Sequence, residues 1–74
     1  MNRLYPYRID LWMYSGHRET HYIKAMNHAD AFSKAHHFAV PIAMSGRYGG
    51  VQFINDTKLT KQYCIDHHIS FEEV

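Results

Sequence analysis

The chain reads as an α+β domain, a small antiparallel sheet with two helices on one face, in hairpin–helix–hairpin–helix–strand order. Three observations carry that expectation. Residues 7–14 alternate between apolar and polar or amphipathic side chains, which is the two-residue period of a strand. Ala31, Phe32, Ala35, Phe38 and Ala39 recur at helical spacing behind Asn27. The turn tripeptides Ser15-Gly16-His17 and Ser45-Gly46-Arg47 then punctuate the chain at corresponding places in two halves that otherwise share little.

Taken in order, the first strand puts Tyr7, Ile9, Leu11 and Met13 on one side and Arg8, Asp10, Trp12 and Tyr14 on the other. A turn at residues 15–18 leads into a second strand over Glu19 to Met26. A three-residue loop, Gly16-His17-Arg18, pairs Leu11 with Ile23, Ile9 with Ala25 and Asp10 with Lys24. It matches apolar residues and opposite charges, and is preferred to a two-residue loop setting Asp10 against Ile23. Asn27 is a helix N-cap with Asp30 three residues on, and Asp30 and Lys34 stand in the favourable i, i+4 order. Pro41 is expected to stop this helix before it or to start an edge strand. Ile42 to Met44 and Val51 to Ile54 then pair as a second hairpin. Asp56 or Thr57 caps a second helix running to about His67, with Leu59 and Tyr63 inward, and Ile69 and Phe71 begin a short last strand.

Composition bounds the rest. Seventy-four residues, 46% of them hydrophobic and 15% aromatic, suffice for one compact domain over residues 1–74 and argue against disorder. No apolar run approaches a membrane span or a signal-peptide core, so no membrane partner is expected. Eight Lys+Arg against seven Asp+Glu give a net charge of +1, without a bulk pull toward nucleic acid. One cysteine excludes an internal disulfide and fits a reducing, cytoplasmic compartment. Low net charge and small size also make a homodimer an expectation.

The strongest functional signal is the outer face of the first hairpin. With Ile9, Leu11, Met13 and Ile23 turned to the helices, Arg8, Asp10, Trp12, Tyr14, Thr20, Tyr22 and Lys24 share the opposite face. Trp, Tyr and Arg dominate interface hot spots, and such a patch left in water marks a contact surface. Three readings compete: cover by the chain's own tail or a homodimer partner, docking on another protein, and single-stranded nucleic acid stacked on aromatics beside Arg8 and Lys24. The strand–strand–helix order over residues 7–39 is similar in topology to the arm-binding domains of some phage integrases, which would imply nucleic-acid binding. It carries no shared motif, and the element order differs from that of an RNA-recognition motif.

Ser45-Gly46-Arg47-Tyr48-Gly49-Gly50 is read first as a hairpin connection. As a contact loop its working residues would be Arg47 and Tyr48, with backbone amides free to cradle an anion. It has neither the Lys-Ser/Thr ending of a P-loop nor the Rossmann glycine spacing. Cys64, His67 and His68 share one side of the second helix and His36 and His37 close the first, so zinc ligands could converge if the two helix ends meet. The spacing fits no zinc pattern, and histidines bound to terminal helix carbonyls are the preferred reading. No metal, cofactor or catalytic residue is expected. The sequence reading is therefore a small non-enzymatic protein-binding module, accessory or inhibitor-like, a style of protein that bacteriophages also encode. Its contact residues are Arg8, Trp12, Tyr14, Tyr22, Lys24, Arg47 and Tyr48, and the alternative is a single-stranded nucleic-acid binder using the same face.

Overall fold

A computed structural model describes residues 3–74. Strand β1 (Tyr5–Met13) and strand β2 (Arg18–Ala25) are followed by helix α1 (His28–Ser45), a 3-10 turn (Arg47–Gly49), strand β3 (Val51–Lys58) and helix α2 (Lys61–Asp66). The sheet is antiparallel with strand order β2-β1-β3, so β1 is central. The architecture is α+β as expected, and its strand–strand–helix–strand–helix order matches the expected hairpin–helix–hairpin–helix–strand order roughly, with one strand in place of the second hairpin and no final strand.

One face of the sheet meets α1. Tyr7, Ile9, Leu11, Met13, Ile23 and Ala25 are buried there against Ala31, Ala35, Ala39 and Ile42. Large residues on the sheet face a stripe of alanines on the helix, which lets the helix axis approach the strands closely. The helix starts as the sequence indicates: Asp30 N donates to Asn27 Oδ1 at 2.8 Å, and Met26 N donates to Asp30 Oδ2 at 2.9 Å. That bond from the Met26 amide, with Lys34 Nζ at 3.4 Å, holds the Asp30 carboxyl below its ordinary range.

Four local expectations are corrected. The β1–β2 loop is Tyr14-Ser15-Gly16: Gly16 N donates to Met13 O at 3.0 Å and Met13 N to His17 O at 2.8 Å. Gly16, at φ +93°, takes the left-handed position that closes a three-residue loop. Asp10 consequently faces Thr20, not Lys24, and Leu11 faces Glu19, not Ile23. The displacement is an even number of residues, so every side chain keeps its expected face.

Helix α1 runs through Pro41 to Ser45, so Ile42 to Met44 form no strand and there is no second local hairpin. The proline ring points to solvent and forfeits one bond, to the His37 carbonyl, at a cost of about 3 kcal/mol. Burying Ile42, 2% exposed, offsets about 1.5–3 kcal/mol of that by holding the last turn on the sheet. Gly46, at φ +69°, then ends the helix by donating its N–H to Ala43 O at 3.3 Å.

Strand β3 instead pairs with β1, from Tyr7 opposite Lys58 to Met13 opposite Val51, with a bulge at Gln52. This pairing claims Asp56 and Thr57, so the second helix starts later. Its cap is Thr60, whose Oγ1 accepts from Tyr63 N at 3.0 Å. Leu59 is buried as expected. Residues 69–71 are not a strand; the tail touches the sheet through one backbone bond, Glu72 N to Tyr22 O at 2.8 Å.

Candidate functional site

The sheet face opposite α1 carries three transverse rows of side chains, set by register. They are Arg18–Trp12–Phe53, Thr20–Asp10–Asn55 and Tyr22–Arg8–Thr57. Rows on one face lie about 7 Å apart, two residues along each strand. In the first row the Trp12 and Phe53 rings stack at 5.5 Å with 19° between planes, and the Arg18 guanidinium lies 4.8 Å from the Trp12 ring. Because Phe53 and Arg18 arrive from strands on opposite sides of β1, they engage both faces of the indole and leave its edge outward. Phe53 remains 49% exposed.

The middle row is polar. Asp10 is 8% exposed and fully partnered: Arg8 Nε donates to Oδ2 at 3.1 Å and Thr20 Oγ1 donates to Oδ1 at 2.9 Å. The Arg8 side chain is about a third exposed, so the pair adds only about 0–1 kcal/mol to stability. Its consequence is positional, since it fixes a guanidinium beside Tyr22 with donors to spare. Arg8, Asp10, Arg18, Thr20 and Tyr22 line a cleft of about 330 Å³.

At the end of the face toward α2 a second cleft, about 340 Å³, includes Arg3, Pro6, Lys24, Lys61, Cys64 and Phe71 in its lining. Lys24 Nζ lies 5.1 Å from the Phe71 ring, and its pairing with Pro6 sets it at the opposite end of the face from the aromatic row. The two clefts together hold Arg3, Arg8, Arg18, Lys24 and Lys61 against one acid, Asp10, a local charge of +4. A total of +1 then leaves −3 for the rest of the chain. The remaining carboxylates have partners elsewhere in several cases: Glu19 and Glu72 at His21, Asp30 at Lys34, and Asp56 at His28. Glu72 and Glu73 adjoin Lys24 in a neighbouring cleft, so the excess of positive charge is sharpest around Arg8 and Arg18.

Of the residues singled out from sequence, Arg8, Trp12 and Tyr22 come together on this face, and Lys24 stands at its end. Tyr14 does not join them: it lies in the hairpin turn, 66% exposed, with its N–H on Gly50 O at 3.2 Å. Arg47 and Tyr48 are placed by the link between α1 and β3, which folds onto the same turn. Ser15 N donates to Tyr48 O at 3.1 Å, and the His17 and Tyr48 rings stack at 4.0 Å. Tyr48 holds φ +55° there, a left-handed conformation costing about 1–2 kcal/mol in a non-glycine residue. Arg18 and Phe53 complete the aromatic row, and sequence reasoning missed both. Local sequence places Arg18 in the turn, whereas the register sets it opposite Trp12, and Phe53 enters only through the long-range β1–β3 pairing.

The histidines are mostly tied to neighbours. His36 Nδ1 is 2.8 Å from Phe32 O and His67 Nδ1 is 2.9 Å from Tyr63 O, both carbonyls four residues back. Among the described residues no three His, Cys, Asp or Glu side chains converge as a metal site would require, and no helix is long and apolar enough to cross a membrane. No protein-family model matches the chain, and no curated protein or solved structure matches it.

Proposed function

We propose that this chain is a non-enzymatic binding module, acting as an accessory or inhibitor protein by docking its open sheet face on an acidic surface of another protein. The observation that carries the reading is the Arg18–Trp12–Phe53 row, an aromatic and cationic centre covered by no element of the fold. A partly buried Trp ringed by polar groups is the composition of an interface anchor. Arg8 and Arg18 in the adjoining cleft fit carboxylates through bidentate forks. One free cysteine suits a reducing, cytoplasmic setting.

A second reading is single-stranded nucleic acid on the same face, and the +4 local charge favours it. Against it stands the indole geometry: both faces of Trp12 are already occupied, so it offers an edge where a base needs a flat platform. Capture from lysate with added nuclease, using Trp12→Ala as a parallel bait, tests both. A nuclease-resistant protein held by the wild type and lost by the variant supports protein docking. Retained material that disappears with nuclease transfers the face to nucleic acid, and wild-type capture that Trp12→Ala leaves unchanged removes the site.

A further inference from the structure

The two edges of the sheet are finished differently. Along β2 the tail and α1 occupy the outer carbonyls: Tyr22 O accepts from Glu72 N at 2.8 Å and Lys24 O from Lys34 Nζ at 2.9 Å. Among the described residues no comparable bond reaches β3 from outside the sheet. Strand β3 contains no proline, and from Val51 to Asn55 it carries no charge. Free edges are ordinarily blunted by cover, proline, charge or a bulge; β3 has a bulge at Gln52 at one end and Asp56 and Lys58 at the other, which leaves its middle, Phe53 to Asn55, as a template for a further strand.

Exposed apolar side chains flank this edge on both faces of the sheet. On the open face Phe53 is 49% exposed. On the helix side an open apolar groove of about 430 Å³ runs between α1 and β3, with Phe32, His36, Val40, Val51 and Ile54 in its lining. Phe32 and Val40 are 45% and 46% exposed. The groove holds no acid or permanent cation, and its one titratable residue, His36, is bonded to the Phe32 carbonyl. A helix or loop laid on one side would cover one of these sets. An added strand, whose side chains alternate, covers both.

We infer that the occupant is a second copy of this chain, joined through β3 to β3 in an antiparallel, two-fold arrangement that makes one six-stranded sheet. The strand carries its own complement, since Phe53 and Ile54 point to opposite faces and the uncharged stretch Val51–Asn55 brings no like charges together. With Ile54 opposite Ile54 of the partner subunit, Phe53 stands across from Asn55 of the partner subunit and diagonal to Phe53 of the partner subunit, within aromatic reach. Asp56 then faces Gln52 of the partner subunit, so the acids do not oppose each other. Pairing centred on Asp56 would set two carboxylates together, which restricts the register. The two open faces become continuous, and the Trp12 rows flank the junction. This inference is independent of which partner the open face takes.

The experiment is sedimentation equilibrium of the whole chain over a concentration series, with amide hydrogen exchange at the same concentrations. The expected result is a monomer–dimer equilibrium in which outward amides of Val51–Asn55 gain protection on concentration while those of β2 do not change. Val40→Glu, on the exposed flank of α1, and Gln52→Glu, which sets a second carboxylate opposite Asp56 of the partner subunit, should each weaken association at least about tenfold with the thermal melt of the dilute protein unchanged. A wild type that stays monomeric up to about 1 mM overturns the inference. So does a dimer that survives both substitutions but dissociates in Trp12→Ala, since that places the contact on the open face.

Discussion

Replacing Trp12 by alanine tests whether the open face is free surface or disguised core. The indole lies outside the cluster around Ile9, Leu11 and Ile23 and depends on Phe53 and Arg18. Losing the aromatic stack removes about 0.5–1.5 kcal/mol and losing the guanidinium contact about 0.5–1 kcal/mol. The sum is about 1–2.5 kcal/mol, a fall in melting temperature of about 4–20 °C for a domain this small. Leu11 is the internal standard, the preceding residue of the same strand but wholly buried. Leu11→Ala should cost about 3–5 kcal/mol, a large part of the total of about 4–11 kcal/mol expected for this length. Urea titration of both variants, followed by far-ultraviolet circular dichroism, measures the difference. A Trp12→Ala loss equal to that of Leu11→Ala would falsify the argument, because the ring would then be supporting the fold and unavailable for a partner.

Two further outcomes follow from the helix cap and the buried phenol. Asn27→Ala removes the acceptor of the Asp30 amide at the start of α1 and should cost about 1 kcal/mol, measured by urea midpoint; an unchanged midpoint would show that the cap adds nothing here. Burial foremost, with the nearby carboxylate of Asp56 next, lifts the Tyr7 phenol above its ordinary value. The raised value means that the folded chain binds the proton more tightly than the unfolded one. The associated stability is therefore complete below about pH 10 and is lost as pH rises through the folded value. Melts of wild type and Tyr7→Phe between about pH 9 and 11 should diverge, the variant falling less steeply; parallel curves would refute the assignment.

Strand parity and the helix cap are local properties, and both could be read from the chain. Tyr7, Ile9, Leu11 and Met13 alternate, and that settles their side of the sheet whatever the register, provided the hairpin pairs odd residues with odd. Arg8, Trp12 and Tyr22 were therefore legible as sharing a face although the loop was displaced. Asn27 was legible as a cap because a side-chain oxygen needs only the amide three residues on.

What the tertiary structure decided depends on competition between distant partners. Pro41 weakens α1 locally, yet burial of Ile42 on the sheet carries the helix past it, an energy no window of sequence contains. Ile42 to Met44 are thereby withdrawn as a strand, and β3 finds β1 across the intervening helix. That pairing delivers Phe53 to Trp12 and leaves β3 as an open edge. It also divides the charge. The sequence by itself determines only that charges of both signs nearly cancel; folding sends Arg3, Arg8, Arg18, Lys24 and Lys61 to adjoining clefts while Glu19, Asp30 and Asp56 pair elsewhere. Net charge is a sum over the chain, while recognition depends on where each charge stands, and position is set by long-range packing.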